Sequence, residues 1–273
     1  MNFSYQLGDD RVTVAVEGET IRGDERVLLA EDDDLTRSQP WHERGFTIAP
    51  FLGDASYRQL VDDVTRRLAS SLRASGAAVP EAFALTSYHR HVSDDTMHLR
   101  ALADARLGYR LTDFPIALEE VTDRVSSLLG VRVTPENKGH GLDRWHARVV
   151  RPRSRDHNPL HRDVWLDRLR NAVNLYVPLA GSAADSSLPL APGSHLWRES
   201  ELVRTANGAS VDGIRYTVPA VVGSDRPLCL LRPNPRANEL LLFSPYLIHG
   251  GARNESADTT RVSLEMRFWR RDG

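Results

Sequence analysis

Apolar side chains recur at helical spacing in the first half of the chain. Four of them follow one another every four residues: Leu60, Val64, Leu68 and Leu72. A stripe of this period is typical of a helix that buries one face, and we expect this helix to span residues 54–76. Similar patterns predict a second helix over residues 95–106 and a third over residues 113–130, from an aspartate cap to a glycine stop.

Beyond residue 130 the pattern changes to the alternation that is typical of β-strands. In the segment 142–150, Trp145, Ala147 and Val149 fall on one face. Further strands, separated by turns with glycine or proline, are predicted at residues 172–179, 228–231, 239–243 and 260–269. Helices followed by short strands predict a mainly β fold, with flanking helices packed on the outside of a β-sandwich or jelly roll.

The first 35 residues have a pattern of their own. Val12, Val14 and Val16 alternate with other residues, and two glycines interrupt the segment. This pattern predicts a small β unit, and the acidic run over residues 31–34 is expected to be a solvated link. We therefore predict an N-terminal β appendage over residues 1–35 and a jelly-roll domain over residues 36–273.

Composition and charge narrow the class of protein. The formal net charge is −2, so nothing in the overall charge favours nucleic acid or an anionic membrane as a partner. No apolar stretch approaches the length of a membrane-spanning helix. Cys229 is the only cysteine, which excludes an intrachain disulfide and a thiolate metal cluster. Without a basic and apolar leader, we expect a cytoplasmic protein that acts on a small molecule.

Two histidines and one aspartate supply the candidate chemistry. His161 and Asp163 form a His-x-Asp pair, and His249 lies far downstream, before two glycines. In an extended segment, residues i and i+2 point to the same side, so this pair can reach one metal while Arg162 points away. Two histidines and a carboxylate form the triad that holds non-haem Fe(II) and leaves coordination positions open. A surface histidine and a solvated aspartate are the alternative, and His157, which lacks ligand spacing, is predicted to be a loop residue.

Arg261 and Ser263 form a second candidate group, downstream of His249. On a strand the two side chains share a face. A guanidinium binds a carboxylate through two parallel hydrogen bonds, and a neighbouring hydroxyl adds another donor. The pair would suit the distal carboxylate of a 2-oxoacid that chelates iron. An ordinary edge-strand arginine in an arginine-rich chain is the alternative.

The order of these motifs resembles the phytanoyl-CoA dioxygenase family, which belongs to the Fe(II)/2-oxoglutarate-dependent oxygenases. The resemblance covers about residues 40–270 and is carried by Glu43-Arg44-Gly45-Phe46, His161-x-Asp163, Asn174-Leu175-Tyr176-Val177-Pro178-Leu179, Leu190-Ala191-Pro192-Gly193-Ser194-His195, His249 and Arg261. Each motif is modest, but their order and spacing together are specific. The gap from the last histidine to the arginine is slightly longer here than is usual in the family.

The resemblance implies a double-stranded β-helix, or jelly roll, with His161, Asp163 and His249 as the catalytic iron ligands. It implies Arg261 as the clamp for the 2-oxoglutarate carboxylate, with Ser263 as a helper. Three weaker candidates for contact with the cosubstrate or its pocket are Asn174, Tyr176 and Trp145. Ordinary packing is the alternative for each of these three.

The reaction that the resemblance implies is oxidation of an unactivated C–H bond of a small metabolite or natural-product intermediate. It would use Fe(II), 2-oxoglutarate and O2, and release succinate and CO2. Related halogenases have glycine or alanine in place of Asp163, so we expect hydroxylation or another oxidation, and not halogenation. One or two arginines near the motif are expected to bind an anionic substrate group, with solvated surface arginines as the alternative. The candidates are Arg148, Arg151, Arg153, Arg155, Arg162, Arg168 and Arg170.

Two other classes of protein stay open. A cupin-like isomerase or hydrolase can hold zinc or manganese in the same fold without 2-oxoglutarate, although it needs no clamp such as Arg261 and Ser263. A non-enzymatic binding module of jelly-roll type would have no use for three convergent metal ligands.

Overall fold

The structure is a computed structural model that describes residues 1–155, 158–251 and 253–271. His157, predicted to be a loop residue, lies outside these ranges. The helices are α1 (Leu28–Glu31), α2 (Asp54–Ala74), α3 (Asp95–Ala101), α4 (Ala103–Leu107) and α5 (Leu118–Leu129). Short 3-10 helical turns cover Leu85–His91, Leu111–Asp113, Asp163–Trp165, Asp167–Leu169, Ser194–Leu196 and Glu199–Glu201. No helix within the described ranges is long and apolar enough to cross a membrane.

The helical predictions are confirmed with local corrections. The helix expected over residues 54–76 is α2. The second predicted helix is divided at Leu102, where α3 ends and α4 begins. The third begins after residue 113, because Phe114 precedes a proline and is extended, with φ −94° and ψ 151°. It ends where Gly130 adopts the left-handed conformation, with φ 68°.

The strands lie mostly in the second half of the chain, and each segment predicted as a strand there contains one. Their bounds are β1 (Asn2–Leu7), β2 (Asp10–Glu17), β3 (Thr20–Arg22), β4 (Phe46–Pro50), β5 (Val133–Thr134), β6 (Glu136–Asn137), β7 (Gly141–Leu142), β8 (His146–Val150), β9 (Ala172–Ala180), β10 (Leu202–Thr205), β11 (Ala209–Val211), β12 (Ile214–Tyr216), β13 (Val221–Ser224), β14 (Cys229–Leu230), β15 (Glu239–Phe243) and β16 (Arg261–Arg270).

The largest sheet separates an apolar face from a polar one. Its order is β4-β15-β9-β16-β5, β8 also pairs with β16, and all these pairs are antiparallel. Alternate residues of β9 and β16 pack with α2 in one apolar core: Val173, Leu175, Val177, Leu179, Val262, Leu264, Met266 and Phe268. Because side chains alternate across a strand, the inner face carries Asn174 and Tyr176 from β9 and Ser263, Glu265 and Arg267 from β16.

A second β layer faces this inner side. Short bridges join His161 to His249, His249 to Leu190, and Leu190 to Leu231. Two further sheets extend the layer, with orders β13-β10-β3 and β12-β11-β2-β1-β14. Side chains from both layers line one cavity between them. This arrangement confirms the predicted fold class, a mainly β jelly roll with flanking helices.

The N-terminal strands join the second layer. Strand β1 pairs with β2 and, in parallel, with β14, while β2 also pairs with β11. Phe3 and Tyr5 share an apolar core with Leu160 and Ile248, which flank the candidate metal ligands. Residues 1–35 therefore support the site-bearing layer, and the division into two units at residue 35 stays a prediction.

The prediction that the acidic run over residues 31–34 is a solvated link is wrong for Asp32 and Asp34, whose carboxylates are largely buried, whereas Glu31 and Asp33 are exposed. Asp32 accepts a hydrogen bond from Arg170 Nε at 2.8 Å, and Asp33 accepts one from Arg270 Nε at 2.6 Å. The run attaches the N-terminal segment to arginines of the jelly roll. These partners are so distant along the chain that the local charge pattern does not indicate them.

Candidate metal centre

His161, Asp163 and His249 converge between the two β layers. Each offers one ligand atom, and these atoms lie within 4.8 Å of one another. The two histidines exchange backbone hydrogen bonds, N–H to C=O in both directions, at 3.0 Å each. Gly250 follows with φ +87°, and a Cβ at this position would lie 2.8 Å from Pro159 O. Glycine is therefore required for the chain to pass this close to the first histidine segment.

Both histidine rings present the same nitrogen to the site. His161 Nδ1 donates to Pro159 O at 2.8 Å, and His249 Nδ1 donates to Leu247 O at 2.9 Å. A neutral imidazole carries one proton, so Nε2 of each ring has a lone pair directed away from these carbonyls. Contacts of this kind fix the tautomer and the orientation of histidines that bind metals.

Asp163 divides its two oxygens between the site and the protein. Its Oδ1 lies 3.0 Å from His161 Nε2 and 3.8 Å from His249 Nε2. Its Oδ2 accepts hydrogen bonds from Asn174 Nδ2 at 2.9 Å and from Arg267 Nη2 at 3.2 Å. Burial raises the pKa of this carboxyl, but the charge of Arg267 is the main opposing effect, and the pKa lies well below its usual range. Asp163 is therefore a carboxylate with one oxygen left for a metal.

The donor set fits a divalent transition metal. Bonds of about 2.1 Å at right angles place neighbouring ligand atoms about 3 Å apart, close to the 3.0 Å between Asp163 Oδ1 and His161 Nε2. With both lone pairs facing the carboxylate, a cation between these atoms would remove their mutual repulsion. Burial, and next the charge of His161, lower the pKa of His249 to about 4, so this ring is neutral and able to bind a metal at neutral pH.

A cavity of about 420 Å³ opens beside the three ligand atoms. Part of its lining is apolar and includes Leu188 and Phe243, whose ring centroid lies 5.0 Å from that of His249. Another part is charged, where Arg148 Nε donates to Glu265 Oε2 at 2.9 Å.

Arg261 and Ser263 lie on the inner face of β16 but outside the lining of this cavity. Arg261 is 2% exposed, and its Nη1 donates to Ser186 O at 3.1 Å. Arg232, which the sequence did not lead us to select, lies nearby: burial, followed by repulsion from Arg261, lowers its pKa. Two guanidinium groups so close together make this part of the interior electropositive.

Three buried hydroxyl groups have no hydrogen-bond partner among the described residues: Tyr176, Ser187 and Ser263. Ser187 follows the residue that Arg261 contacts, and Tyr176 lies on the inner face of the neighbouring strand. Buried polar groups in native proteins normally have a partner, so unsatisfied ones indicate a missing ligand or water. Hydroxyl donors beside a guanidinium fit the distal carboxylate of a 2-oxoacid.

Trp145 does not line the site, and that prediction is wrong. Its ring packs 6.2 Å from the ring of Phe114, in the apolar core under the helices. Arg148, on the opposite face of β8, lines the cavity. The alternation was correctly recognised, but the tryptophan belongs to the face that packs on the helices.

Asn174 lies in the site but in a role that the sequence did not predict. It contacts the metal-ligand candidate Asp163, whereas the expectation was contact with the cosubstrate. Glu265 and Arg267 were not selected at all. The signal was present, because they continue the alternation of Arg261 and Ser263 along one strand face.

The structure separates the seven arginines near the His-x-Asp motif. Arg148 lines the cavity, and Arg162 points away from the ligands, as the extended geometry predicts. Five of the seven pair with acidic residues outside the cavity: Arg151 with Asp95, Arg153 with Glu255, Arg155 with Asp212, Arg162 with Glu199 and Arg170 with Asp32. Arg168 lines a separate surface groove.

No family model matches this chain, and no curated protein matches it. Solved structures match at low identity. EctD from S. alaskensis in its apoform is 14% identical, with a TM-score of 0.47 over 93% of this chain and 85% of that chain. The structure of the same protein with 2-oxoglutarate and 5-hydroxyectoine is 14% identical, with a TM-score of 0.45 over 94% of this chain and 84% of that chain. SnoN, a non-haem α-ketoglutarate-dependent epimerase from nogalamycin biosynthesis, is 15% identical, with a TM-score of 0.42 over 84% of this chain and 79% of that chain. The assignment of an activity therefore depends on this chain's own residues.

Proposed function

We propose that this protein is an Fe(II)- and 2-oxoglutarate-dependent dioxygenase that oxidises a C–H bond of a small metabolite, with hydroxylation as the expected outcome. One observation carries the proposal: three metal-ligand atoms and a buried guanidinium with unsatisfied hydroxyls lie on the inside of the same jelly roll. A cupin-like isomerase or hydrolase would need the ligands but not the buried anion site.

The chain's own groups divide the work of binding. His161 and His249 would hold iron through Nε2, with their Nδ1 protons kept on backbone carbonyls. Asp163 would bind through Oδ1 alone, because Oδ2 is held by the protein, and single-oxygen binding keeps coordination positions open. Arg261 and Ser263 would bind the distal carboxylate of 2-oxoglutarate. Bound Fe(II) and 2-oxoglutarate supply the capacity to activate O2, with release of succinate and CO2.

The cavity walls have a second task, which is to position the substrate and to exclude water. Phe243 and Leu188 place apolar surface against the ligand histidines. A closed apolar wall strengthens electrostatic contacts inside the site and protects reactive species from side reactions. Fixed placement of the target carbon supplies much of the rate enhancement in such reactions.

Binding of Fe(II) and then 2-oxoglutarate to the apoprotein without oxygen tests the proposal. We expect a weak visible charge-transfer band from the chelate. Arg261→Ala should lower the affinity for 2-oxoglutarate about 10- to 100-fold, the loss expected for charge-assisted hydrogen bonds. Arg270→Ala is the matched control, since Arg270 lies on the same strand but pairs with Asp33 at the surface.

Two results would contradict the proposal in different ways. Iron binding without a band, in protein that binds no 2-oxoglutarate, would favour the cupin-like class. Metal binding that survives His161→Ala unchanged would remove the metal centre itself. If the band is present, release of succinate then serves as the readout for substrate screening.

A further inference from the structure

We propose that the Arg148–Glu265 ion pair recognises a small zwitterionic substrate, with a carboxylate bound by Arg148 and an ammonium group bound by Glu265. The inference rests on the proposed function, which places the substrate beside the metal. The argument from the ion pair does not depend on which metal is bound.

The ion pair belongs to the same cavity as the metal-ligand candidates. Strands β8 and β16 are antiparallel neighbours, with Arg148 opposite Ser263 and His146 opposite Glu265. Arg148 and Glu265 are therefore diagonal neighbours on the inner face. Both side chains line the cavity that includes His161, Asp163 and His249.

The pair is also more accessible than the other charges of the lining. The side chains of Arg148 and Glu265 are 20% and 18% exposed, whereas those of Arg267 and Asp163 are 14% and 5% exposed. Asp163 and Arg267 are already engaged with each other. The ion pair is thus the more accessible part of the charged lining.

Charge balance favours a ligand without net charge. The charged side chains of the lining are two arginines and two acids, so their formal charges cancel. A ligand with one unmatched charge would leave that charge uncompensated in a buried site, which is costly. A zwitterion lets each protein charge keep an opposite partner while the ligand enters.

The contact between the two side chains limits the spacing of the ligand charges. Arg148 Nε and Glu265 Oε2 are 2.9 Å apart, so the groups that pair with them must also lie close together. An α-amino acid, or a derivative that keeps both charges, has this arrangement. Leu188 and Phe243 provide apolar lining for the rest of such a molecule.

Calorimetric titration and thermal melting with matched probes test the proposal. Free proteinogenic L-α-amino acids are compared with analogues that lack the carboxylate and with analogues that lack the amino group. The protein is loaded with Fe(II) and 2-oxoglutarate and kept without oxygen. At least one amino acid is expected to raise Tm and to bind at least about tenfold more tightly than either truncated analogue. If no amino acid raises Tm, or if the truncated analogues bind equally well, the proposal is overturned.

Variants locate the effect on the ion pair. Arg148→Gln and Glu265→Gln are each expected to weaken binding of the selected amino acid at least about tenfold. The variant that combines Arg148→Gln and Glu265→Gln leaves no unpaired charge. It is measured instead of the single variants if these do not fold. Arg153→Gln is the control, because its ion pair with Glu255 is exposed and outside the cavity. Loss of binding in the control, or none in the pair variants, would contradict the assignment.

Failure of this inference and failure of the proposed function give different results. If the iron–oxoacid band forms but amino acids bind no better than their truncated analogues, only the substrate class is wrong. If the wild-type protein forms no band, the proposed function itself fails.

Discussion

Replacing Asn174 with alanine should weaken metal binding and leave the affinity for 2-oxoglutarate largely unchanged. Asn174 Nδ2 donates to Asp163 Oδ2 at 2.9 Å, and both residues are 4% exposed. A hydrogen bond to a charged group contributes about 1.5–3 kcal/mol. Loss of a group that orients a metal ligand typically lowers metal affinity about 10- to 100-fold. Because Arg267 still holds Oδ2, we expect a loss near the lower end, about tenfold.

Anaerobic calorimetry with Fe(II), followed by 2-oxoglutarate, measures both affinities in one experiment. Tyr176→Phe is the matched variant, since Tyr176 occupies the next inner-face position of the same strand and its hydroxyl contacts no other described residue by a hydrogen bond. It should leave the Fe(II) Kd unchanged and weaken 2-oxoglutarate binding. If Asn174→Ala instead weakens only 2-oxoglutarate binding, the role of Asn174 as an anchor for Asp163 is refuted and contact with the cosubstrate is supported.

Three further substitutions test other parts of the structure. Gly250→Ala should lower metal affinity about tenfold or more, because its Cβ would collide with the backbone beneath the first histidine ligand. His195→Gln should reduce the loss of stability in acid. Burial lowers the pKa of His195 to about 4, against about 6.5 in the unfolded chain, so the neutral ring favours folding above about pH 6.5. This contribution, about 3 kcal/mol, is lost as the pH falls from about 6.5 to 4, which urea denaturation at several pH values measures. Glu199→Ala should lower the free energy of unfolding by about 3–5 kcal/mol, because it leaves the fully buried Arg162 unpaired.

Two of these substitutions have a control on the same chain. Gly130 also has a positive φ, +68°, but no atom within 4 Å of an added Cβ, so Gly130→Ala should lower stability without changing metal affinity. Equal metal loss in both glycine variants would contradict the steric explanation. An unchanged acid profile in His195→Gln would mean that another group dominates. Glu255→Ala removes an ion pair that is about half exposed and should cost at most about 1 kcal/mol; a similar cost for Glu199→Ala would contradict the burial argument.

Most of the fold could be predicted because its signals are local. The stripe of α2 and the alternation of β9 and β16 depend only on which residues face the core. The prediction for the acidic run was wrong because the run pairs with Arg170 and Arg270, which lie far along the chain. The N-terminal strands were recognised, but their pairing with β14 and β11 is a long-range property that no local pattern encodes.

The candidate site shows the same division between local and distant information. The shared direction of His161 and Asp163 follows from their spacing, and the structure brings His249 to them. Trp145 was placed on the wrong side because alternation defines two faces without saying which one meets the helices. Arg148 lies on the other face of the same segment, and its charge indicates that this face is the one turned away from the apolar core. The partner of Asp163, Arg267, continues an alternation already in use, so it could have been found.

Strand β16 explains why stability and the proposed chemistry are linked. Its inner positions run from Arg261 through Ser263 and Glu265 to Arg267, while its outer positions are apolar and buried against the helices. A slip of one residue in register would turn every inner side chain into the apolar core. That arrangement would bury two guanidinium groups and a carboxylate without partners, at a large cost in free energy. The alternation therefore stabilises the observed register, which places the polar side chains on the inner face, and disfavours the register shifted by one residue. It follows that Leu264→Ala on the outer face should lower activity only through stability, whereas inner-face substitutions should change metal, 2-oxoglutarate or substrate affinity in protein that remains folded.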